Sequence, residues 1–312
     1  MTIGILIFSN SNRDKYTSVQ ALEKAALGLG HKVVRLYEPL FTITVPHLTK
    51  EGPWGVYYEG TPLPDLDVII ARPNFCHEPA LHKVVLSALQ KKGYTIINGS
   101  EGLFQTKNKL EQHAILSENK IPMPRWAIAH DPDESRKAVD QIRFPCVIKV
   151  AFGTLGTGVF YAENLETFSP IVDYLNIRDG NPVIIQEFIR TITSKPPVVP
   201  LGKGDASDIR AFVLGGKVIA SMQRTAPEGE IRSNIGKGAK GESVELSQDE
   251  KELAIHATKI FNLDIAGVDI LRSDRGPLVI EVNSNPGFEE LENATQAHIA
   301  EQIIRYSIAK AS

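Results

Sequence analysis

The stretch Leu263–Gly287, LDIAGVDILRSDRGPLVIEVNSNPG, constrains the fold more than any other part of the chain. Two apolar runs, Ile265–Leu271 and Pro277–Val282, flank a Ser-Asp-Arg-Gly turn, and that pattern predicts a β-hairpin. Asp269, Glu281 and Asn283 are set into these runs. Glu281 and Asn283 are two apart and therefore share a strand face. Loop length decides whether Asp269 joins them. A three-residue loop, Asp274-Arg275-Gly276 with Gly276 left-handed, puts Asp269 opposite Glu281; a two-residue loop turns it to the other face. Brought together, the three offer only oxygen donors, the set a hard cation such as Mg²⁺ prefers. Kept apart, they are solvated polar faces of half-buried strands. The hairpin alone leaves both readings open.

At 312 residues the chain is long enough for two or three domains. Its 34 Lys+Arg against 37 Asp+Glu give a net charge of −3, which argues against a dedicated nucleic-acid or anionic-membrane binder. Cys76 and Cys146 lie far apart without metal-like spacing, as expected of a reduced, cytoplasmic protein. The opening MTIGILIF has no basic residue before it and reads as a first strand rather than a signal peptide. No apolar run approaches bilayer length.

Over the first hundred residues, apolar runs at Ile3–Phe8, His31–Leu36, Leu66–Ala71 and Thr95–Ile97 alternate with helical stripes. The stripes are Val19/Leu22/Ala26/Leu29 and Leu81/Val84/Val85/Ala88/Leu89, stopped by Gly30 and Gly93. This alternation predicts an α/β domain with a parallel sheet. Its first turn carries Ser9-Asn10-Ser11-Asn12, so a dinucleotide fingerprint is absent. The five prolines between Pro39 and Pro64 predict an irregular excursion. From Asn98 the pattern becomes α+β, with a helix over Asn108–Glu118 and strands at Arg125–Ala129, Cys146–Val150, Gly158–Ala162 and Val183–Glu187. Helices at Asp133–Ile142 and Leu165–Leu175 intervene. Thr191–Ala206 reads as a long mobile loop. Asp208–Leu214 and Val218–Arg224 form a hairpin around Gly215-Gly216, and a polar segment runs over Ala226–Ser243. A helix over Gln248–Phe261 and a terminal helix marked by Ile299, Ile303 and Ile308 complete the chain. The expected division is an N-terminal α/β domain over 1–99, a central subdomain over 100–190 and a C-terminal subdomain over 191–312.

Several residues have the chemistry of a phosphate site. Lys149 ends an apolar run and faces Gly153-Thr154-Leu155-Gly156-Thr157-Gly158, where backbone N–H groups can converge on an anion. No Gly-Lys-Ser/Thr follows, so this is not a Walker loop, and taken alone it is equally an ordinary turn. Gln186-Glu187-Phe188-Ile189 ends a strand in a carboxylate beside an aromatic, as purine sites and plain strand ends both do. Asp208 and Arg210 share a strand face and either bind a polar ligand or pair with each other. Arg224, Arg232 and Asn234 surround a Pro-Glu-Gly turn, either as a phosphate clamp or as an exposed loop. Lys109 sits on a helix before the central sheet. Arg72 closes a parallel strand, at the edge where ligands bind.

Taken in order, these pieces resemble the ATP-grasp superfamily, and within it the RimK-type glutamate ligases. The matching runs are Lys149-Val150 through Gly153–Val159, Gln186–Ile189, Asp208-Ile209-Arg210, Glu228–Asn234, Ala266–Arg272 and Gly276–Asn283, continuing through Pro286-Gly287 to Glu292. The resemblance implies two α+β ATP-grasp subdomains behind the N-terminal α/β domain. It implies ATP contacts at Lys109, Lys149, Gly153, Thr154, Gly156, Thr157, Gly158, Glu187, Phe188, Asp208, Arg232 and Asn234. Two Mg²⁺ (or Mn²⁺) ions are implied on Asp269, Glu281 and Asn283, with catalytic roles for Lys149, Arg224 and Arg232. Arg72, Arg210 and Asn285 are its candidates for substrate contact. The implied reaction makes an acyl phosphate that an amine captures, joining an amino acid, glutamate by resemblance, to a carboxylate-bearing acceptor such as a protein C-terminus. A homo-oligomer, dimer or tetramer, and a cytoplasmic location without nucleic-acid or membrane partners complete the expectation. Asn234 is followed by Ile235-Gly236-Lys237-Gly238-Ala239 where RimK-type ligases have a basic residue and two glycines, a difference beside the implied amino-acid pocket. A ligase for another amino acid, carrier protein or cofactor tail is the alternative. A non-catalytic nucleotide module would lack the metal ligands or the phosphate lysine, and this chain has both.

Overall fold

A computed structural model of the chain describes residues 1–8, 17–44, 55–73, 82–153, 157–191, 207–226 and 240–312. The N-terminal part begins with β1 (Thr2–Ile7), α1 (Thr17–Gly28) and β2 (Lys32–Tyr37). Val19, Leu22 and Ala26 of α1 are buried, and Gly30 takes the left-handed φ of +80° that ends the helix. The proline-bearing excursion is more regular than its composition predicts. After a 3₁₀ turn at Glu38–Leu40, β3 (Phe41–Thr44), β4 (Gly55–Tyr58) and β5 (Thr61–Pro62) build a small antiparallel sheet. Two of its prolines sit where no ladder N–H is needed, Pro39 in the 3₁₀ turn and Pro62 on the edge strand, and Phe41 packs on Tyr58 at 5.1 Å between rings. β6 (Val68–Arg72), α2 (Lys83–Lys91) and β7 (Ile96–Ile97) follow. The four main strands are parallel, in the order β2-β1-β6-β7.

Asn98 ties this sheet to the C-terminal half. Its amide nitrogen donates to the carbonyls of Ile265 (2.7 Å) and Ser284 (2.8 Å), and its oxygen accepts from the N–H groups of Asp264 (2.7 Å) and Ile265 (2.8 Å). Two helices come next, α3 (Ser100–Lys107) and α4 (Lys109–Glu118), where the sequence predicts only the second. Asn108 separates them and caps α4, accepting from Leu110 N–H at 3.0 Å.

The central sheet comprises β8 (Trp126–Ala129), β9 (Cys146–Val150), β10 (Val159–Ala162) and β11 (Val183–Glu187), in the order β10-β9-β11-β8. Helices α5 (Pro132–Ile142) and α6 (Leu165–Asp173) cover one face, burying Cys146, Ile148, Val183 and Ile185. Both helices start on the residues that ought to start them. Asp131 accepts from the N–H groups of Asp133 and Glu134, and Asn164 forms a capping box with Thr167. Strand alternation sends Trp126, Lys149, Tyr161 and Gln186 to the opposite face.

The C-terminal sheet is built from β12 (Ser207–Leu214), β13 (Lys217–Thr225), β14 (Lys240–Ser243), β15 (Ile265–Ser273) and β16 (Gly276–Asn283), ordered β14-β13-β12-β15-β16. One face packs on α7 (Gln248–Ile260), which a Ser247/Glu250 capping box starts. The other face changes character along its length. Phe212, Leu214 and Met222 pack with the N-terminal sheet, α8 (Glu289–Thr295) and α9 (Ile299–Ala311). Asp208, Arg210, Arg224 and Asp269 continue that face beyond the apolar floor. The segments 192–206 and 227–239, which include most of the expected mobile loop and polar segment, lie outside the described residues.

The β15–β16 hairpin resolves the register question in an unexpected way. Ser273 pairs with Gly276 across a two-residue turn, which by itself would set Asp269 off-face. Gly276 has φ +96°, and the ladder then shifts by one residue between Asp269 and Ile270, so that Asp269 pairs with Glu281. Val279 and Val282, three apart, accordingly bury in the same cluster against α7. A bulge, rather than a longer loop, restores the register.

Candidate active site

Cross-strand pairing on the C-terminal sheet lines up four charges. Asp208 faces Arg224 across β12 and β13, and Arg210 faces Asp269 across β12 and β15. Arg224 holds both Asp208 oxygens at 2.6 Å through Nε and Nη2, and its Nη2 also lies 2.9 Å from Asp269 Oδ2. Arg210 grips Asp269 with Nε and with Nη2, the latter at 2.8 Å. The run is therefore Asp208–Arg224–Asp269–Arg210, not the Asp208–Arg210 pair that spacing allowed. All four residues are at most 8% exposed. A lone buried charge there would be strongly destabilising, so alternation of sign is what lets the row exist. Burial by itself would raise the Asp269 carboxyl, but Arg210 and Arg224 outweigh it and hold the pKa below the usual range. Burial would likewise lower Arg224, yet Asp208 and Asp269 leave it raised. Gly267 makes the geometry possible, because a Cβ there would lie 2.9 Å from Arg210 Cδ and 2.9 Å from Pro286 Cβ.

Next to Asp269 stands Glu281, which is in contact with one lysine, Lys109, and influences the charge of a second, Lys149. Lys109 Nζ is 3.6 Å from Glu281 Oε1 and donates to Gly153 O at 2.9 Å, while its backbone N–H donates to Ala151 O at 2.9 Å. Lys149 retains some exposed surface but is ringed closely by protein. Burial pushes its ammonium down to about 8, with Lys109 adding to the effect and Glu281 and Asp269 opposing it. Gln112, which sequence reasoning did not single out, fixes α4 against this strand. It accepts from Val282 N–H at 2.9 Å and donates to Val282 O at 2.9 Å, between Glu281 and Asn283. His113 was missed too. Its Nδ1 lies 2.8 Å from Lys109 O, and burial with nearby Lys149 lowers its pKa to about 3, so the ring is neutral and donates there. A buried polar residue on a short helix carries no sequence signal that separates it from an exposed one.

The glycine loop is only partly described: Thr154 and Gly156 lie outside the described residues, and Gly153, Thr157 and Gly158 frame the gap. Both framing glycines are sterically required. A Cβ at Gly153 would sit 2.3 Å from Thr157 O, and Gly158, at φ +76°, would place one 2.3 Å from Val150 Cγ2. At the other end of the central sheet, Glu187 receives Arg125 at 3.0 Å and Arg275, from the hairpin turn, at 2.8 Å. Phe188 meets the Tyr161 ring edge-on at 5.2 Å. Tyr161 Oη and Gln186 Nε2 are buried without a hydrogen-bond partner among the described residues, and both belong to the Lys149 face. Buried polar atoms are ordinarily hydrogen-bonded, so these two have capacity left for a polar group such as a water or a ligand.

The residues expected to touch substrate divide. Arg210 joins the ionic row. Arg72 is buried, donates to Pro286 O at 2.9 Å and Ser18 Oγ at 3.2 Å, and stacks 5.6 Å over Phe288. Burial lowers its pKa to about 10, with Glu289 opposing. It is a strut between β6 and the segment after β16. Asn285 donates to Pro73 O at 2.6 Å in the same seam. Arg232 and Asn234 lie outside the described residues.

Among the described residues, no group of three or more His, Cys, Asp or Glu could hold a metal ion. The candidate set is two acids and an amide: Asp269 and Glu281 paired across β15 and β16, with Asn283 two residues on. As an all-oxygen set on adjacent strands it suits a hard cation. Two guanidinium groups now neutralise Asp269, and Asn283 Oδ1 accepts from Asn285 N–H at 2.9 Å.

Comparison with known proteins identifies the family and the fold. Residues 106–307 match the RimK-like ATP-grasp domain. A "Probable alpha-L-glutamate ligase" of Coxiella burnetii (strain Dugway 5J108-111) is 34% identical, the alignment covering 98% of this chain and 95% of that protein. One of the same name from Aliivibrio fischeri (strain MJ11) is 35% identical over the same shares. Among solved structures, the ATP-grasp ligase PsnB, complexed with a phosphomimetic variant of minimal precursor, Mg and ADP, superposes with a TM-score of 0.72 at 19% identity. That match covers 100% of this chain and 99% of PsnB. With a family match over most of its length and full-length relatives above 30% identity, the chain belongs to the RimK-like ATP-grasp family.

Proposed function

We propose that this protein is an ATP-dependent carboxylate–amine ligase that adds glutamate, through its amine, to a carboxylate of a peptide or protein acceptor. The observation carrying this reading is the meeting of Lys109 and Lys149 with Glu281 and Asp269, cations for a triphosphate beside oxygen ligands for its metal. The likeness to PsnB supports a peptide-like acceptor and the use of ATP with Mg²⁺. The names of the full-length relatives support glutamate.

In this reading the acceptor carboxylate attacks the γ-phosphorus, the bond to the β–γ bridging oxygen breaks, and ADP leaves. The amine of glutamate then attacks the acyl carbon, loses a proton and expels phosphate, leaving an amide. Mg²⁺ or Mn²⁺, two ions on Asp269, Glu281 and Asn283, would screen the triphosphate and polarise the γ-phosphorus. Lys109 and Lys149 neutralise the phosphate oxygens, and the glycine loop from Gly153 to Gly158 supplies N–H donors. Glu187 and Phe188 border the adenine, with the unpartnered Gln186 Nε2 and Tyr161 Oη beside them. Arg224, with Arg232 and Asn234, is assigned to the transferred phosphoryl group, and Asp208, whose oxygens Arg224 also engages, to the ribose. Arg72 and Asn285 act through the Pro73 and Pro286 carbonyls that they hold. No protein nucleophile is needed, because positioning and electrostatics carry the rate.

The working parts are assigned to 1–99, 100–190 and 191–312, and the protein to the cytoplasm as a homo-oligomer. No helix among the described residues is long and apolar enough to cross a membrane. The test incubates the protein with ATP, Mg²⁺, L-glutamate and candidate acceptor peptides, following ADP release and product mass. Glutamate-dependent ADP release with an acceptor heavier by one glutamate residue is the expected result. ADP release supported equally by unrelated amines would remove the glutamate assignment, and none with any amine would remove the ligase reading.

A further inference from the structure

The ionic row is not symmetric, and its asymmetry says what happens when a cation reaches Asp269. Arg224 is shared between two carboxylates and holds both oxygens of Asp208. Arg210 has Asp269 as its one carboxylate partner among the described residues. Any ligand that takes Asp269 therefore leaves Arg224 anchored on Asp208 and leaves Arg210 without a bonded carboxylate among the described residues, with Glu290 the nearby acid that feels its charge.

We propose that Asp269 is a metal-operated switch, holding Arg210 until a divalent cation engages it and thereby freeing Arg210 to bind the carboxylate of the acidic co-substrate. The inference rests on the ligase reading above and adds an order to it: metal and nucleotide first, acid second. Three features favour it. Asp269 is buried, so its two oxygens cannot be shared among two guanidinium groups and a metal without crowding like charges in a poorly solvated place. Gly267 lets the Arg210 stem lie directly over β15 beside Pro286, where a Cβ would come within 2.9 Å of Arg210 Cδ, so no side chain from that position blocks the guanidinium from leaving Asp269. A released guanidinium in that place is costly until an anion meets it, which makes the freed Arg210 a carboxylate site.

The test labels arginines of the wild-type protein with a dicarbonyl reagent and reads Arg210 and Arg224 by peptide mass spectrometry. Samples contain EDTA, ADP with EDTA, Mg·ADP, or Mg·ADP with L-glutamate or inorganic phosphate. Arg210 is expected to react several-fold faster with Mg·ADP than under either EDTA condition, to be protected again by glutamate, and Arg224 to stay slow throughout. A second measurement uses Arg210→Gln. Without its competing cation, Mn²⁺ binding to the nucleotide-free protein, read by electron paramagnetic resonance, should tighten about tenfold. Equal Arg210 reactivity in all samples, or release by ADP without metal, overturns the switch. Protection by phosphate and not by glutamate overturns the carboxylate assignment. If dialysis shows that Mg·ADP does not bind at all, the ligase reading fails and the switch fails with it; if it binds and Arg210 stays slow, only the switch fails.

Discussion

Gln112 on α4 and Val282 on β16 exchange two hydrogen bonds, with the amide oxygen accepting from the valine N–H and the amide nitrogen donating to its carbonyl, each at 2.9 Å. The same amide nitrogen also donates to Thr106 O at 2.7 Å. One fully buried side chain thus sets the distance between the helix that carries Lys109 and the strand that carries Glu281 and Asn283. Gln112→Ala would leave two carbonyls and an N–H unpaired in the interior. The expected loss is about 1–3 kcal/mol of stability, read as a lower urea midpoint at unchanged m-value, together with a higher KM for ATP. An unmoved midpoint would show that this contact does not hold the two elements together.

Much of this site is written in local patterns. Strand alternation gave the shared faces, and glycine at positions 30, 158 and 276 marked turns that do adopt positive φ. What escaped the sequence was set by contacts distant in the chain. Asp208 pairs with Arg224 rather than Arg210 because cross-strand neighbours lie closer than residues two apart on one strand. The Asp269 register depends on a bulge at Ile280, and no residue type announces a bulge made without glycine. Helix α3 was illegible because Gly102 weakens its propensity for a tertiary reason: a Cβ there would lie 1.8 Å from the Phe261 carbonyl. Arg72 stood at a strand edge where ligands bind, yet the segment after β16 folds over it.

Lys149 should make nucleotide binding depend on pH near neutrality. Its pKa falls from 10.5 to about 8 on folding, chiefly through burial. Between those values the unfolded chain holds a proton that the folded chain has released, so this group makes stability rise with pH across that window. Phosphate affinity should run the other way, because the ammonium we assign to the triphosphate loses its charge above about 8. The KM for ATP should therefore rise through pH 8 in the wild type. Lys149→Arg, which stays charged, should flatten that rise, and Lys149→Ala should lower turnover by about a hundredfold or more. A pH profile identical in wild type and Lys149→Arg would assign the titration to another group.

Gly267→Ala tests the ionic row without removing a charge. The new methyl would meet Arg210 Cδ and Pro286 Cβ at 2.9 Å, and neither is the free end of a flexible chain. Overpacking of this kind costs about 1–3 kcal/mol, and the Arg210 guanidinium should be displaced from Asp269. The variant should bind ADP nearly as well as the wild type, because both lysines stand on other elements, while its turnover falls. Parallel loss of ADP binding and turnover would mean that the disturbance spreads beyond Arg210.

Chelation should silence the enzyme without unfolding it. In metal sites where several carboxylates face one another, removing the cation leaves like charges in contact and the structure loosens. Here Asp269 is already neutralised by Arg210 and Arg224, and Glu281 has Lys109 at 3.6 Å. The fold's charge balance is therefore complete without a divalent ion. Dialysis against EDTA should abolish ADP release and leave the thermal midpoint of the nucleotide-free protein within about 2 °C, below the shift that a loss of 1 kcal/mol causes in chains of 150–250 residues. Asp269→Asn should behave in the opposite sense, lowering the midpoint with or without EDTA, because a neutral amide leaves two buried guanidinium groups short of a counter-ion. A large fall in the wild-type midpoint on chelation would show that the metal, and not the arginines, carries the charge balance of this sheet.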